Sequence, residues 1–446
     1  MRRLGAMSGM AVGTAVSRAT GVLRDIMLIA GIGTGVFADT YSVANSIPNI
    51  IYILVAGGAI NAVFVPALVR HMADDDDGGQ AFIDRLFTSV AVLLVAVVLV
   101  AMAAAGWLIH LYATSQWAPS DFRVATVFAY WFLPQVLFYG IYTVLAQVLN
   151  ARDIFIAPMF APVANNIIVI VTAMAFLAGR ANGITTSTVT SGQLALLGAG
   201  TTLGVIVQAA LLVPALRGAG IRIRPRRPVR GSGLGKVGDL AVWTIGFVLV
   251  NQVTFLVISR LTTYANVLAE SARAVPSGFT TYQKAQLMMM LPHAIITVSI
   301  ITALLPRISR KSHDNDAVGT AGDVADAARL IVSLLVPCAA LLLVLGPLLG
   351  AVLYGHGASD VAQGLEVGRT AAVFALGLPA FSIFYLLLRT YYAQEDTRTP
   401  FFINLAFNVL HLTIGVSAFQ LVAPQHKVAA LAAGYSAAYT VTAILT

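Results

Sequence analysis

Apolar stretches of about 20 residues, the length that a helix needs to cross the ~30 Å hydrocarbon core of a bilayer, recur along the whole sequence. Short polar segments separate them. Only 10% of the 446 residues are charged and 58% are hydrophobic, whereas a soluble globular protein carries about 25% charged residues. The pattern therefore predicts an all-α polytopic membrane protein and leaves no room for a sizeable soluble domain.

Hydropathy predicts about twelve transmembrane helices. Several are longer than a perpendicular span requires, which fits tilted or kinked helices. The sequence ends inside the twelfth span, so we expect the natural protein to continue beyond it. The predicted spans are 8–33, 38–72, 81–113, 122–150, 155–178, 190–216, 237–260, 277–307, 323–354, 366–393, 399–421 and 427–446.

Positive charges concentrate in alternate loops. The loop at 217–236 alone contains seven Arg and Lys residues, and Arg2 and Arg3 precede the first span. Because cytoplasmic loops are enriched in Lys and Arg, this asymmetry predicts a multi-pass protein with a cytoplasmic N-terminus. The net charge of +8 thus reports membrane topology, and we expect no nucleic-acid partner.

The two halves of the sequence resemble each other at an offset of roughly 240 residues, as expected for an internal repeat of a transporter. A repeat of six helices has an even number of spans, so both halves enter the membrane in the same direction. The prediction is two parallel six-helix lobes with pseudo-two-fold symmetry and a central cavity: an N-lobe at 1–216, a basic cytoplasmic linker at 217–236 and a C-lobe at 237–446. The matching residues are Arg123 with Arg369, Phe128 with Phe374, Pro134 with Pro379, and Asn166 with Asn408.

The first span contains Arg18, Arg24 and Asp25. A lipid-facing arginine at this depth is costly, so we expect these side chains to face a cavity or a partner. Three interpretations are open: the arginines bind the phosphates of an anionic substrate, whose oxygens match a guanidinium; they pair with carboxylates of other helices; or they extend to the interface.

The second span combines polar residues with helix-breaking ones. Asp39 is either a helix N-cap or a gate residue that pairs with Arg24. Pro48 is followed by the candidate substrate-binding residue Asn49, and Gly57 and Gly58 follow within the same span. Proline removes a backbone hydrogen bond and paired glycines loosen a helix, so this segment is either a hinge for alternating access or a static kink.

Lys284 is the clearest intramembrane cation of the second half. It either completes a phosphate site together with Arg18 and Arg24 or extends to the outer interface. His293 and His411 have no second ligand at metal spacing, and no catalytic triad or paired carboxylates stand out. We therefore expect no metal, no cofactor and no enzymatic activity.

Several of these residues stand in motifs that resemble those of the MurJ/MviN family, within the superfamily of multidrug, oligosaccharidyl-lipid and polysaccharide exporters. The resemblance covers the whole chain. The first-helix motif is the most specific of those that carry it. The motifs are Ser17-Arg18-x2-Gly21-x2-Arg24-Asp25, Gly33-x5-Asp39-x8-Pro48-Asn49, Gly58-Ala59, Phe64-Val65-Pro66 and Asp396-Thr-Arg-Thr-Pro400.

The resemblance implies a flippase that moves lipid II, the undecaprenyl-pyrophosphate-linked disaccharide peptide, to the outer leaflet of the bacterial cytoplasmic membrane. It implies that Arg18 and Arg24 line the cavity, and that membrane lipids and the cell-wall synthesis machinery are partners. Fourteen helices are usual in such relatives. The sequence departs from the family at Tyr52, where an arginine is frequent, and at Ile258, where some relatives have a sodium-binding carboxylate. The coupling source, membrane potential or an ion, stays open.

Four other functions are consistent with parts of the pattern. A multidrug exporter of the same fold would need cavity carboxylates, whereas this sequence offers arginines. A flippase for another polyprenyl-linked glycan would share every feature above. A membrane enzyme acting on polyprenyl phosphates would need acidic motifs, for which Asp74 to Asp77 is the only candidate. An assembly scaffold would tolerate loss of Arg18 and Arg24.

Overall fold

The computed structural model describes residues 2–57, 71–72, 74–75, 77–179, 184–224, 226, 238–314, 316–394 and 396–445. Within these ranges the chain consists of helices and turns, without a strand. The helices of the N-terminal half are α1 Arg2–Ile32, α2 Val36–Tyr52, π1 Ile53–Gly57, α3 Gln80–Ala103, α4 Ala105–Tyr112, α5 Pro119–Phe132, α6 Gln135–Ala151, α7 Ile156–Ala178, α8 Ser191–Ala210 and α9 Leu212–Gly218. Those of the C-terminal half are α10 Gly238–Ser271, α11 Phe279–Pro292, π2 His293–Thr297, α12 Val298–His313, α13 Ala317–Tyr354, α14 Val361–Ala375, α15 Leu378–Ala393, α16 Arg398–Leu421 and α17 Lys427–Leu445, which a short 3-10 turn, Pro424–His426, precedes.

The all-α polytopic class is confirmed, whereas the described residues do not confirm the predicted number of twelve spans. In the described part of the chain, nine helical segments are long and apolar enough to cross a membrane, and the pair α14 and α15, bent by 53°, makes a tenth. α1 and α2 lie where the first two spans were predicted. Neither is among these ten segments: Arg18, Arg24 and Asp25 interrupt α1, and the predicted second span continues at 58–70, outside the described residues.

The described chain forms two compact units. The first contains most residues up to Ala241. The second begins at Val242 and also includes two segments of the N-terminal half, Gly33–Asp39 and Tyr112–Trp117. Hydrogen bonds hold both segments there: the backbone N–H of Thr114 donates to the hydroxyl of Thr263 (2.9 Å), and the hydroxyl of Thr34 donates to the side-chain carbonyl of Gln363 (2.9 Å).

The order of elements repeats along the chain, and the repeat includes an irregularity. The π-helix π1 begins at Ile53 and its counterpart π2 begins at His293. Each follows an α-helix that contains a proline, Pro48 or Pro292. Proline cannot donate a backbone hydrogen bond, and single-turn π-helices are frequent at functional sites. Gly57 ends π1, whereas Gly58 lies outside the described residues.

The aromatic core of the first unit fixes α2 against α5. The ring of Tyr41 packs edge-on against Phe128 and Phe132, with centroids 5.4 and 5.2 Å apart. The Tyr41 hydroxyl lies 2.7 Å from the hydroxyl of Thr201 on α8. A buried tyrosine hydroxyl needs such a partner, so this bond sets the rotation of α2 as well as its position.

The loop motif at Asp396 is explained by helix capping. The Asp396 carboxylate accepts hydrogen bonds from the backbone N–H groups of Arg398 (2.9 Å) and Thr399 (3.0 Å), which open α16. These donors are otherwise unsatisfied at a helix start. Hydrogen bonds, of which those from Thr399 contribute most, lower the pKa of the Asp396 carboxyl below its usual value. The motif thus has a structural role at the start of α16.

Glycines allow α13 and α14 to pack backbone against backbone. A Cβ atom at Gly350 would collide with the backbone of Gly364 and Gly368, and one at Gly346 would crowd the Gly368 carbonyl. Small residues at four-residue spacing allow this close approach between membrane helices.

We expect Gly350→Ala to lower the unfolding free energy by about 1–3 kcal/mol, because the added methyl overpacks a backbone contact. Gly322→Ala on the same helix is the matched control, since nothing lies within 4 Å of its Cβ position. The control should be neutral or stabilising by up to ~1 kcal/mol. Thermal unfolding in detergent measures both, and equal melting temperatures would contradict the packing described here.

Candidate functional site

Arg24 is the centre of a polar network on the first helix. One terminal guanidinium nitrogen donates to the Asp25 carboxylate (3.2 Å) and the other donates to the side-chain oxygen of Asn166 on α7 (3.2 Å). The Asp25 side chain is buried, whereas that of Arg24 is 33% exposed. The charge of Arg24 is therefore partly balanced by a buried carboxylate, and the side chain stays partly accessible.

Asn166 joins this network to the backbone of α1. Its amide nitrogen donates to the carbonyl of Ser17 (3.1 Å) and to the hydroxyl of Thr20 (3.0 Å). One buried amide thus holds two turns of α1 and one nitrogen of Arg24. The sequence indicated Asn166 only as a repeat match. The pair Asn165-Asn166 among the apolar residues of α7 was the available signal, because polar residues in membrane helices bond between helices.

Arg24 retains hydrogen-bonding capacity beyond these contacts. A guanidinium carries five N–H donors in a rigid fork. The Nε atom of Arg24 is buried and has no hydrogen-bond partner in the part of the chain that the structure describes. Tyr41 and Tyr139 are near enough to interact with Arg24 electrostatically. The arrangement can bind an anion whose oxygens accept from two neighbouring N–H groups.

The other predicted residues of the first unit lie in different surroundings. Arg18 is exposed, and within the described residues it has neither an ion pair nor a hydrogen bond, so it does not join the Arg24 network. Asn49 is also exposed, on α2, whereas the neighbouring Pro48 is buried.

Asp39 is fully buried in the second unit. Its carboxylate accepts from the side-chain amide of Asn266 (2.8 Å) and from the backbone N–H groups of Phe279 (3.1 Å) and Thr280 (2.8 Å). α2 already begins at Val36, so Asp39 is not the N-cap of its own helix. Instead it satisfies the free donors at the start of α11, where a negative charge also interacts favourably with the helix dipole.

The second unit contains a cavity of about 260 Å³ whose walls are mostly aromatic and apolar, with a few polar side chains. Its lining includes Gln283 and Gln286 of α11 and Asn408 and His411 of α16. Lys284 is half-buried beside Gln283 on α11, the sixth residue of that helix. Ile258, at the position where some relatives carry a carboxylate, also lines the cavity.

This cavity does not resemble a metal site. None of its described lining residues is a carboxylate. Groups of three or more His, Cys, Asp or Glu residues that could hold a metal ion are absent from the described ranges. Hard cations are bound by oxygen ligands, carboxylates foremost. A mostly aromatic lining with a few amides and one imidazole is suited to an apolar group that carries neutral hydrogen-bonding atoms.

Comparison with known proteins gives a consistent result. Residues 29–446 match the family model described as lipid II flippase MurJ. The probable lipid II flippase MurJ of Rhizobium meliloti is 29% identical over 408 residues, which cover 89% of this chain and 72% of the relative. The lipid II flippase MurJ of Burkholderia cenocepacia is 27% identical over 406 residues, covering 90% of this chain and 75% of the relative.

Solved structures show the same fold. A lipid II flippase MurJ in an inward closed conformation matches with a TM-score of 0.75 at 19% identity, covering 98% of this chain and 86% of the other. An inward-facing multidrug resistance MATE family transporter of the MOP superfamily matches with a TM-score of 0.68 at 14% identity, covering 99% and 97%. At these identities the likeness concerns the fold alone.

Proposed function

Since the chain belongs to the MurJ family of lipid II flippases, we propose that it carries lipid II from the inner to the outer leaflet of the bacterial cytoplasmic membrane. Such transport serves peptidoglycan and cell-wall synthesis. The observation that carries the proposal is the half-buried Arg24, which Asp25 and Asn166 orient and which keeps donors for an anion. A pyrophosphate offers the acceptors that this fork matches.

Arg24 is the phosphate-binding residue in this proposal, and Asp25 and Asn166 are positioning residues. An arginine held in place before the substrate arrives loses less side-chain freedom on binding. Arg18 and Lys284 supply further positive charge along the path of the headgroup. Asn49, exposed on α2, donates to the sugar or peptide portion.

Transport proceeds by alternating access, in which the binding site opens first to the cytoplasmic side and then to the outside. We place the N-terminus on the cytoplasmic side, which the distribution of Arg and Lys favours. The break at Pro48 and π1 provides the deformable point, since a π-helix has irregular hydrogen bonding. Charge that moves with the substrate or the protein couples transport to the membrane potential. Cell-wall synthesis enzymes are the expected partners that use the product.

Binding selectivity tests this function. Purified protein is offered lipid II, undecaprenyl phosphate or another polyprenyl-linked glycan, in each case with excess phosphatidylglycerol, and retained lipid is measured by native mass spectrometry. We expect lipid II to be retained in preference to both polyprenyl competitors. Equal retention of the other glycan would favour a flippase of different substrate, and failure to retain any polyprenyl lipid would contradict the proposal.

Asn166→Ala should weaken lipid II binding by roughly tenfold, because a hydrogen bond to a charged group contributes about 1.5–3 kcal/mol and Arg24 loses its orientation. The neighbouring Asn165→Ala is the matched control, since its amide donates to Gln208 on α8 (3.0 Å) and not to α1. Titration of lipid II against both variants measures the difference. Equal affinities would show that Asn166 does not position Arg24.

A further inference from the structure

A cleft of about 530 Å³ lies in the first unit, apart from the Arg24 network. Helices α3, α6, α8 and α9 form its walls, which are predominantly apolar and include Phe87, Phe138, Ile206 and Val213. The volume falls within the ~300–1,000 Å³ of sites that bind small ligands. The residues that follow α9 also line this cleft.

These residues, 221–224 and 226, form an extended segment that we call the strap. Ile221 is buried and packs with Leu145, Leu212 and Leu216 in the core beside the cleft. Polar side chains that are four residues apart on α3 form hydrogen bonds with the backbone of every second residue of the strap. The bonds are Gln80 to the Arg222 carbonyl (2.9 Å), the Arg224 N–H to Asp84 (2.9 Å) and the Arg226 N–H to Thr88 (3.1 Å).

The strap contributes arginines to the lining of an otherwise apolar cleft. Its hydrogen bonds to α3 use the backbone of Arg222 and Arg224, and both residues are exposed. Arg217, in the last turn of α9, lines the same cleft. The nearby buried carboxylate of Asp84 pairs with Arg226 (3.4 Å). Within the described residues, Arg222 and Arg224 have no carboxylate partner.

We propose that this cleft binds an anionic phospholipid of the cytoplasmic leaflet, with an acyl chain between the apolar walls and the phosphate at Arg217, Arg222 and Arg224. Charge complementarity selects the occupant, because guanidinium groups match phosphate oxygens and basic pockets between membrane helices bind anionic headgroups. A free phosphate would leave the apolar walls unfilled. The choice of the cytoplasmic leaflet rests on the cytoplasmic N-terminus of the proposed function. Lipid binding at this cleft does not depend on lipid II transport.

Lipid retention by the purified chain tests this site. The probes are phosphatidylglycerol and phosphatidylcholine with identical acyl chains, and native mass spectrometry measures the bound lipid. The wild type should retain one phosphatidylglycerol selectively. The double variant Arg222→Gln, Arg224→Gln should bind phosphatidylglycerol roughly thirtyfold more weakly. This factor is the loss of affinity expected when two arginines no longer attract an anionic lipid.

A matched double variant controls for the loss of charge. Arg310→Gln with Arg329→Gln removes two exposed arginines of the second unit and should leave phosphatidylglycerol binding unchanged. Ala210→Phe fills the cleft from α8 without touching the arginines, and should weaken binding at least tenfold, as expected when a cavity for an apolar group is filled. Helical content measured by circular dichroism verifies the fold of each variant.

Three results would overturn the proposal. Equal retention of phosphatidylcholine would mean that the arginines do not select the lipid. Unchanged binding to Ala210→Phe would mean that phosphatidylglycerol is held by surface charge alone. Displacement of phosphatidylglycerol by lipid II would assign the cleft to the tail of the transported lipid. Lipid II binding by the wild type is measured separately, so failure of this proposal can be distinguished from failure of the proposed function.

Discussion

Arg24→Ala should abolish transport and weaken lipid II binding by about ten- to a hundredfold, the range expected when hydrogen bonds from a charged group are lost. The variant removes the guanidinium that pairs with Asp25 and Asn166. Titration of lipid II against the purified variant measures the loss. Binding equal to that of the wild type would remove Arg24 from the substrate site.

Two further variants separate this effect from misfolding and from net charge. Arg24→Lys keeps the charge but loses the planar fork, so we expect a smaller loss of binding with near-native thermal stability. Arg85→Ala removes an exposed arginine from α3 and should bind lipid II as the wild type does. If Arg85→Ala lost as much affinity as Arg24→Ala, general electrostatics would account for the effect.

Asp39→Ala should lower the unfolding free energy by at least about 3 kcal/mol, because it removes one acceptor that three buried N–H donors share. These donors are the Asn266 amide and the N–H groups of Phe279 and Thr280. Gly278→Ala should have a similar effect by another route, since a Cβ atom there would collide with the Asp39 carboxylate and Asn266. Thermal unfolding in detergent measures both variants.

Asp360→Ala is the matched control for Asp39. Asp360 is an exposed N-cap whose carboxylate accepts one hydrogen bond, from the N–H of Gln363 (2.8 Å). Loss of such a cap costs about 1 kcal/mol. Asp39→Asn keeps an acceptor oxygen, so its melting temperature should lie between those of the control and of Asp39→Ala. Equal melting temperatures for Asp39→Ala and Asp360→Ala would show that burial of the Asp39 contacts adds nothing.

Hydropathy and charge were sufficient for the fold class. In the described part of the chain, the ten segments long and apolar enough to span a membrane coincide with the predicted spans from 81–113 onwards, because a bilayer leaves a chain few alternatives to apolar helices. The repeat was also visible, since residues such as Arg123 and Arg369 recur in register. Hydropathy could not anticipate that both prolines precede π-helices, because that geometry depends on local hydrogen bonding.

The candidate site was only partly predictable. Arg24 and Asp25 were identified because charges are costly inside a membrane. Asn166 and the capping of α11 by Asp39 were missed, since each depends on contacts across 142 or more residues of sequence. Residue type alone does not reveal which helices approach one another. Arg18 belonged to the same motif, yet it is exposed and stands apart from the network.

Transbilayer movement of lipid II in proteoliposomes tests the central proposal most directly. Purified protein is reconstituted into vesicles with labelled lipid II, and the lipid that becomes accessible on the opposite face is measured over time. We expect rapid movement with the wild type and with Arg85→Ala, and the rate of protein-free vesicles with Arg24→Ala. Movement that is no faster with the wild type than without protein, or equally fast with Arg24→Ala, would contradict the account.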